Sequence, residues 1–408
     1  MSRCPFEFDP LTSPDLENPY PVYVRAREEA PVFFSPIHDA WVVTRYGDVL
    51  AVLRDPGRFS SAQRFRVPDD PPPEVLAELA KIPHEIPFLV SEDPPSHRRT
   101  RALVSKAFLP RYVTAIAPRV QAIAHELVDQ FWTDGHADLV RQYTYPLPMR
   151  VLLEFIGLSV EDADFIKQWC HDHILLSVPG ISKVQQLQSA RTEVAFNRYA
   201  NTLIDDRRRH LQSDLLSALI QAEVDGERPL DDIELNALLQ QLLFAGHETT
   251  TNLLSGTLLS LLREPDLWRA LLADPSLVPN AVEEGLRQDA PIPGMFRTVT
   301  QDVTIAGVAI PSGARIFLAF ASANRDNRMF AEPERFDVHR SNADKHLSFG
   351  HGIHYCVGAA LAKLEARIGL EVLLARLPKL QLVPDQSLVY LPSLINRGLQ
   401  HLHTTWTG

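Results

Sequence analysis

One cysteine in this sequence lies in a glycine-rich turn directly before a helical stretch. Residues 349–358 read FGHGIHYCVG and include Cys356, and a helical pattern follows over residues 359–367. A thiolate at such a position lies near the N-terminus of a helix, where amide N–H groups point outward and the helix dipole favours negative charge. The glycines permit backbone geometry that residues with a Cβ resist, and they let a flat ligand approach closely. The turn can therefore present a hydrogen-bonded sulfur to a metal.

A long apolar helical pattern precedes this turn in the chain. It runs over residues 231–263, on the order of 50 Å at about 1.5 Å per residue. Asp231 and Glu234 at its start have the spacing of a capping box. The middle of the pattern is apolar on nearly every side, which predicts a buried helix.

The sequence AGHETT at residues 245–250 interrupts this apolar pattern. Gly246 costs about 1 kcal/mol in a helix relative to Ala, and Glu248 in a buried stretch requires a partner, water or a proton. Thr249 can hydrogen-bond the carbonyl oxygen four residues earlier and bend the helix. The resulting notch suits water-assisted proton delivery, although Gly246 can equally admit a crossing helix and a buried threonine can be purely structural. A zinc-protease motif is excluded because Thr251 replaces its second histidine.

The composition is typical of a globular protein of the reducing cytosol. Of the 408 residues, 45% are hydrophobic, and the net charge of −11 argues against a nucleic-acid partner. The N-terminal residues lack the charged start and apolar core of a signal peptide, and no run approaches the roughly 20 apolar residues that span a bilayer. We therefore expect a cytoplasmic protein without a membrane span.

The three cysteines, Cys4, Cys170 and Cys356, are too few and too scattered for a disulfide framework. His351 and His354 beside Cys356 raise the alternative of a zinc site. A structural zinc site takes four ligands, and no second pair of Cys or His residues lies at finger-like spacing. The residue types thus favour a single thiolate over a zinc cluster.

The elements that must position these residues are mainly helical. The pattern is helical from about residue 97 to residue 290, and no internal repeat or flexible linker divides the chain. We expect one domain over residues 1–408, with a β-richer N-terminal part, a helical core and a C-terminal part that contains the cysteine turn. Strand patterns occur at residues 40–44, 303–305 and 316–320, and a proline-rich segment at 67–88 includes a short helical pattern at 74–81.

Four separated segments together resemble the cytochrome P450 family of haem-thiolate monooxygenases. The turn at residues 349–358 matches Phe-x-x-Gly-x-His-x-Cys-x-Gly at every specified position, and residues 245–249 match the oxygen-activating helix motif. Residues 284–287 match Glu-x-x-Arg, and residues 333–336 match the segment that completes its ion-pair network. Glu-x-x-Arg alone is common on helices, whereas the four segments in this order are specific. The resemblance extends from about residue 17 to the end of the chain.

The resemblance implies a mainly α cytochrome P450 fold with small β-sheets, in which haem b is held between a long central helix and the helix after the cysteine turn. Cys356 would be the axial thiolate ligand of the iron, and its electron donation favours cleavage of the O–O bond. Phe349, Gly350, Gly358 and Ala245 would line the cofactor.

Four basic residues would hold the haem propionates, by the same resemblance. His97 and Arg101 form a His-x-x-x-Arg pattern after Asp-Pro-Pro. Arg297 lies thirteen residues after the Glu of Glu-x-x-Arg, and His354 lies in the cysteine turn. Charge-assisted hydrogen bonds from Arg and His to carboxylates suit this role.

The Glu-x-x-Arg motif implies a structural ion-pair network. Glu284 and Arg287 are three residues apart on a helical pattern, so their side chains share one face. Arg335 is the expected third member, and Arg340 is the alternative. We expect these residues to support the fold rather than to take part in catalysis.

The leading functional hypothesis is a monooxygenase that inserts one oxygen atom from O2 into an apolar small molecule. By the resemblance, Thr249 would hydrogen-bond the dioxygen and Glu248 would supply protons through water. A peroxide-driven peroxygenase is the first alternative, although relatives of that type lack the acid–threonine pair. A haem-binding sensor without turnover is the second alternative.

The substrate pocket implied by the resemblance is apolar. A terpenoid, a steroid, a fatty acid or a macrolide-like molecule would each fit it, and the sequence does not choose among them. Lids are expected around Pro179-Gly180 and in the proline-rich segment. The expected walls are Phe88, Leu89, Val90, Phe244, Ala245, Pro293, Met295, Leu394 and Ile395.

Electrons would come from a separate ferredoxin with its own reductase, since only 52 residues (408 minus 356) follow Cys356 and a fused reductase needs more. Basic residues near the cysteine side are expected to dock this acidic partner by electrostatic steering. We expect a monomer. The docking candidates are Arg98, Arg99, Lys106, Arg111, Lys345 and Lys363.

Overall fold

A computed structural model describes residues 8–62, 71–83, 88–176 and 181–407. Cys4, the expected lid at Pro179-Gly180 and parts of the proline-rich segment lie outside these residues. In the part of the chain that the structure describes, no helix is both long and apolar enough to cross a bilayer.

The described residues are mainly helical with short strands, as predicted. The α-helices are α1 (Tyr20–Glu29), α2 (Tyr46–Leu53), α3 (Pro73–Leu79), α4 (Ser96–Ala107), α5 (Pro110–Ala115), α6 (Ala117–Asp129), α7 (Pro146–Ile156), α8 (Ala163–Leu175), α9 (Lys183–Arg209), α10 (Leu215–Ile220), α11 (Asp232–Gly246), α12 (Glu248–Arg263), α13 (Pro265–Ala273), α14 (Val278–Gln288), α15 (Phe320–Ala323) and α16 (Ala359–Arg376). The strands are β1 (Val32–Ser35), β2 (Ala40–Val43), β3 (Phe59–Ser60), β4 (His136–Asp138), β5 (Met295–Val299), β6 (Val303–Ile305), β7 (Val308–Ile310), β8 (Arg315–Leu318), β9 (Gln381–Leu382) and β10 (His403–Thr405).

The chain divides into two compact units. The first unit comprises Met1–Ser61, Ala115–Pro148 and Glu248–Gly408, and the second comprises Ala62–Thr114 and Met149–His247. Whether residues 1–408 act as a single domain stays a prediction.

The first unit contains every strand of the described residues. Its largest sheet has the order β1-β2-β8-β5-β3, in which β2 and β8 are parallel and the other neighbours are antiparallel. Successive residues of β8 alternate between two apolar clusters: Ile316 and Leu318 pack in one, and Phe317 packs in the other. This period of two is expected of a strand buried on both faces.

Helices α6, α12, α14 and α16 form the helical core of the first unit, with α16 in contact with the other three. Gly369 on α16 permits close packing there. A Cβ at this position would lie 3.1 Å from the Leu147 side chain and 3.2 Å from that of Leu254. Cys356 therefore precedes a helix that is held rigidly on several sides.

The described residues of the second unit contain helices but no strand, and α9 contacts α3, α8, α10 and α11. Trp169 on α8 stacks on Phe196 of α9 with ring centroids 3.9 Å apart. The capping box predicted at the start of α11 is present: the Asp231 side chain accepts from the Glu234 N–H at 2.9 Å, and the Glu234 side chain accepts from the Asp231 N–H at 3.0 Å.

Candidate active site

The cysteine turn is closed by its own backbone. The N–H of Cys356 donates to the carbonyl oxygen of Phe349 at 2.9 Å, and Gly350 and Gly352 have φ angles of +69° and +72°. Side chains at these two positions would be strained. In addition, a Cβ on Gly352 would lie 2.7 Å from the carbonyl oxygen of Leu53. The turn therefore requires both glycines.

Cys356 is exposed and lies three residues before the first residue of α16. The unpaired N–H groups of a first helical turn favour negative charge nearby, which suits a thiolate. Gly358 is the N-cap residue of α16, and a Cβ there would lie 4.0 Å from the Cys356 sulfur. A longer side chain at this position would pack against the sulfur. An exposed sulfur among glycines fits a flat, thiolate-ligated group such as haem.

The four basic residues predicted to hold propionates are divided equally between the two units. In the second unit, His97 and Arg101 are one turn apart on α4, and His97 is buried. Burial lowers the pKa of His97, and the Arg101 guanidinium lowers it further. In the first unit, Arg297 is buried on β5 and His354 ends the 3₁₀ turn that precedes Cys356. Their role toward haem stays a prediction.

The polar break divides the predicted long helix in two. Because α11 ends at Gly246 and α12 begins at Glu248, the prediction of one continuous helix over residues 231–263 is wrong. His247 lies between the two helices and is buried, with Nδ1 2.8 Å from the carbonyl oxygen of Leu243. Burial lowers the pKa of His247 to about 4, so its imidazole is neutral near pH 7.

Gly246 has a packing role within the second unit. A Cβ at this position would lie 2.9 Å from the side chain of Leu152 on α7. The glycine therefore does admit a neighbouring helix, as one of the two interpretations of this residue predicts. This packing leaves open the separate role of the acid and the threonine that follow.

Glu248 is a largely buried acid at the first position of α12. Burial raises its pKa above the ordinary range of a glutamic acid. Its Oε2 accepts a hydrogen bond from Nδ2 of Asn396 at 3.2 Å, and half-buried Thr249 follows it in the first turn. A carboxyl group whose pKa is raised holds its proton to a higher pH than usual, which suits a proton donor. The sequence analysis missed Asn396, whose one signal is a polar residue directly after the apolar pair Leu394-Ile395.

The ion-pair network contains Arg340 in place of Arg335. Glu284 accepts from Arg287 at 2.7 and 2.8 Å and from Nε of Arg340 at 2.9 Å, and all three side chains are buried. The side chain of Arg335 is 63% exposed and pairs with Glu332 at 3.6 Å. The prediction of Arg335 as third member is therefore wrong for its side chain. Only its carbonyl oxygen takes part, as an acceptor for Arg287 and Arg340.

Two of the expected substrate residues of the second unit, Phe88 and Phe244, contact His173, which the sequence analysis missed. The ring of His173 lies 6.2 Å from that of Phe88 and 5.4 Å from that of Phe244, and Nδ1 lies 2.7 Å from Oε1 of Glu193. The N–H of Val90 donates to the Gln241 side chain at 3.2 Å. Leu89 is buried, and Ala245 is exposed near the end of α11. The imidazole ring of His173 thus contacts the rings of both Phe88 and Phe244.

The expected substrate residues of the first unit are held partly by its core. Pro293 and Leu394 line one small cavity of about 20 Å³, and Leu394 packs against the cluster that contains Phe317. Met295 on β5 packs against the other cluster of the sheet. Ile395 is half-buried. Their contact with a substrate stays a prediction.

The expected docking residues also fall into both units. In the second unit, Arg98, Lys106 and Arg111 are exposed, whereas Arg99 forms an ion pair with Glu234. In the first unit, both lysines are paired with acids: Lys345 with Asp344 at 3.0 Å and Lys363 with Glu283 at 2.9 Å. Arg98, Lys106 and Arg111 are therefore the docking candidates whose charge is most available.

Comparisons with known proteins identify the family of this chain. The cytochrome P450 family model matches residues 39–276 and 271–388. Vitamin D(3) 25-hydroxylase of Pseudonocardia autotrophica is 38% identical over 95% of this chain and 94% of its own length. 6-Deoxyerythronolide B hydroxylase of Saccharopolyspora erythraea is 37% identical over 97% of this chain and 100% of its own. The structure of cytochrome P450 CREJ in complex with (4-ethylphenyl) dihydrogen phosphate superposes with a TM-score of 0.90, at 34% identity, over 98% of this chain and 99% of that chain.

A mainly helical fold with a cysteine turn before its last long helix thus defines a haem-thiolate enzyme. The chain belongs to the cytochrome P450 family, and it is a monooxygenase of that family.

Proposed function

We propose that this monooxygenase inserts one oxygen atom from O2 into an apolar small molecule, with haem b bound through Cys356 and electrons from a separate ferredoxin-type protein. The observation that carries the proposal is the largely buried acid Glu248 with Thr249 beside it in the chain, at the start of a helix in the same compact unit as Cys356. When bound, haem supplies the iron at which dioxygen is activated. The protein must supply protons, a dry site and an orientation for the substrate.

Glu248 and Thr249 account for the proton supply. Burial raises the pKa of the Glu248 carboxyl, so this acid holds its proton to a higher pH than an exposed glutamic acid and can pass it on as a general acid. The Thr249 hydroxyl can both donate and accept a hydrogen bond, so it can hold dioxygen or a water molecule in position. His97, Arg101, Arg297 and His354 would neutralise the propionates, with Phe349, Gly350 and Gly358 around the sulfur.

The substrate class follows from the expected walls, which are aromatic and aliphatic. Two relatives that match most of this chain bear names that refer to vitamin D(3) and to 6-deoxyerythronolide B, respectively. We place the substrate of this protein among large apolar molecules of the steroid, terpenoid or macrolide-like kind. His173, which is hydrogen-bonded to Glu193 between Phe88 and Phe244, would be a polar anchor in that pocket.

The electron donor would dock at exposed basic residues. Arg98 and Lys106 on α4 and Arg111 on α5 present positive charge in a protein of net charge −11. A local basic group on an acidic protein steers an acidic partner, and its effect weakens with salt. The rate at which ferredoxin reduces the Arg98→Gln or Arg111→Gln variant should therefore be lower than for wild type at low salt. At high salt the rates of variant and wild type should converge.

The absorbance spectrum of the reduced, CO-bound protein tests the cofactor assignment. Haem-loaded protein is expected to show the red-shifted Soret band of a thiolate ligand. Cys356→His should shift this band, and Cys170→Ser is the matched control because Cys170 is buried in the second unit. Absence of the thiolate band in haem-loaded wild type would contradict the proposal.

Thr249→Ala separates a monooxygenase from the alternatives. The variant is expected to consume NAD(P)H through its reductase but to divert most of the electrons from product to hydrogen peroxide. Thr249→Ser retains the hydroxyl and is the matched control. Product formation that stays coupled to NAD(P)H in the alanine variant would remove Thr249 from the mechanism. Product from peroxide alone would indicate a peroxygenase, and no product with any donor would indicate a sensor.

A further inference from the structure

Residues 390–399 form a closed loop near the C-terminus, here called the strap. Tyr390 and Leu399 form an antiparallel bridge, and the N–H of Leu391 donates to the carbonyl oxygen of Gly398 at 3.2 Å. The tip of the strap carries the sequence SLINRG at residues 393–398. Its two ends therefore hold the tip in a defined place.

Arg397 anchors the tip of the strap to the first unit. Its Nε donates to Oδ1 of Asp289 at 2.7 Å, and its guanidinium lies 4.1 Å from the ring centroid of Tyr390. Two further N–H groups donate to the carbonyl oxygens of Leu16 and Glu17 at 2.8 and 2.9 Å. A side chain with this many partners fixes the backbone on which it lies.

The tip lies along one face of α12, at positions one helical turn apart. Nδ2 of Asn396 donates to Glu248 at 3.2 Å, and a Cβ on Gly398 would lie 2.0 Å from Oδ1 of Asn252. Residues four apart on a helix share a face, so the strap follows the helix axis. Because Gly398 has no side chain, the backbone of the strap can lie close to α12. This approach places the Asn396 amide at the carboxyl group of Glu248.

We propose that Asn396 is a positioning residue for the carboxyl group of Glu248. The assignment rests on the proposed function, in which Glu248 is the proton donor. It goes beyond that function by naming the group that orients the donor, together with the loop and the anchor that carry this group.

The chemistry of an amide suits an acid that must lose and regain a proton. Asn396 can donate from Nδ2 to a carboxylate, and after rotation of the amide its Oδ1 can accept from a protonated carboxyl. A lysine or arginine at the same place would instead favour the charged form and hold the pKa down. A neutral partner therefore orients Glu248 in both protonation states.

Infrared difference spectroscopy of the haem-loaded protein tests this contact without turnover. The C=O stretching band of protonated Glu248 is assigned as the band that Glu248→Gln removes. In Asn396→Ala this band should shift, because the carboxyl loses its partner. In Asn396→Asp a like charge should raise the pH at which the band disappears. Asn342→Ala is the matched control, since it removes an amide of the first unit that donates to the carbonyl oxygen of Met329 at 3.0 Å.

Turnover gives the second measurement. In Asn396→Ala the fraction of electrons that reach product should fall by up to about tenfold, the upper factor expected for one hydrogen bond between neutral groups. The solvent isotope effect should rise, with KM unchanged. In Asn342→Ala both should stay near wild type. An unmoved Glu248 band in Asn396→Ala, or an equal shift in Asn342→Ala, would overturn the proposal. A shifted band in a protein that oxidises no substrate would overturn the proposed function and still support the assignment of Asn396.

Discussion

Two acids in the first unit, Glu284 and Glu248, are both largely buried but have opposite surroundings. The carboxylate of Glu284 accepts from the guanidinium groups of Arg287 and Arg340. In the described residues, the hydrogen-bond donor to the Glu248 side chain is the neutral amide of Asn396. Cationic donors hold a buried carboxylate in its charged form, whereas a neutral amide permits both forms. The first acid is suited to structure and the second to proton transfer.

Substitution of Glu284 by Gln should have the largest effect in this comparison. Two buried guanidinium groups would lose their counter-charge, so the free energy of unfolding should fall by about 3–5 kcal/mol. Equilibrium unfolding in urea, followed by circular dichroism, measures this difference. Glu332→Gln is the matched control, because Glu332 is exposed and pairs with exposed Arg335. Its effect should stay within about 0.5 kcal/mol. A similar loss in both variants would remove the contrast between buried and exposed pairs.

Substitution of Glu248 by Gln should separate activity from stability. Loss of a positioned proton donor should lower coupled turnover by about 10²-fold, which corresponds to about 2.7 kcal/mol. Stability should respond to pH in a defined direction. The folded-state pKa of Glu248 is raised, so its contribution to stability is present at low pH and is lost as the pH rises through that pKa. The glutamine variant should therefore gain stability relative to wild type as the pH rises.

The measurement for Glu248→Gln is urea unfolding at several pH values, together with product formation per electron supplied. Asp232→Asn is the matched control, because it removes an exposed carboxylate at the start of α11. Gln240→Glu is unsuitable, because it would add a second buried acid. A loss of stability in Glu248→Gln as large as that in Glu284→Gln would show that both acids are structural.

The sequence was most informative where local geometry alone determines the structure. The glycines of the cysteine turn, the capping box at Asp231 and the pair of Glu284 with Arg287 depend on residues within a few positions of one another. Spacing rules for turns and helices therefore predicted them. The cysteine turn also carries the family signature, and the mainly α fold followed from that resemblance.

The contacts that the sequence did not reveal, or offered only as an alternative, join residues far apart in the chain. Asn396 meets Glu248 across 148 positions, and Arg340 meets Glu284 across 56. Neither contact has a local spacing rule, because it depends on how the strap and the segment after α15 pack against helices of the first unit. The break at His247 was missed for another reason: residues 245–250 interrupt the apolar pattern, but the helical period resumes directly after them, so periodicity alone predicted one helix.

Arg335 and Arg340 offer the smallest expected effect and the most direct test of which arginine completes the network. Arg335→Ala removes an exposed side chain with one weak ion pair at 3.6 Å, so the free energy of unfolding should change by less than about 0.5 kcal/mol. Its carbonyl oxygen, which accepts from two arginines, is retained in the variant. Arg340→Ala is the matched contrast, because it leaves Glu284 with one cation fewer and should cost several times more. Urea unfolding of the two variants at neutral pH measures both. Equal losses would mean that side-chain burial does not distinguish the contributions of the two arginines to stability.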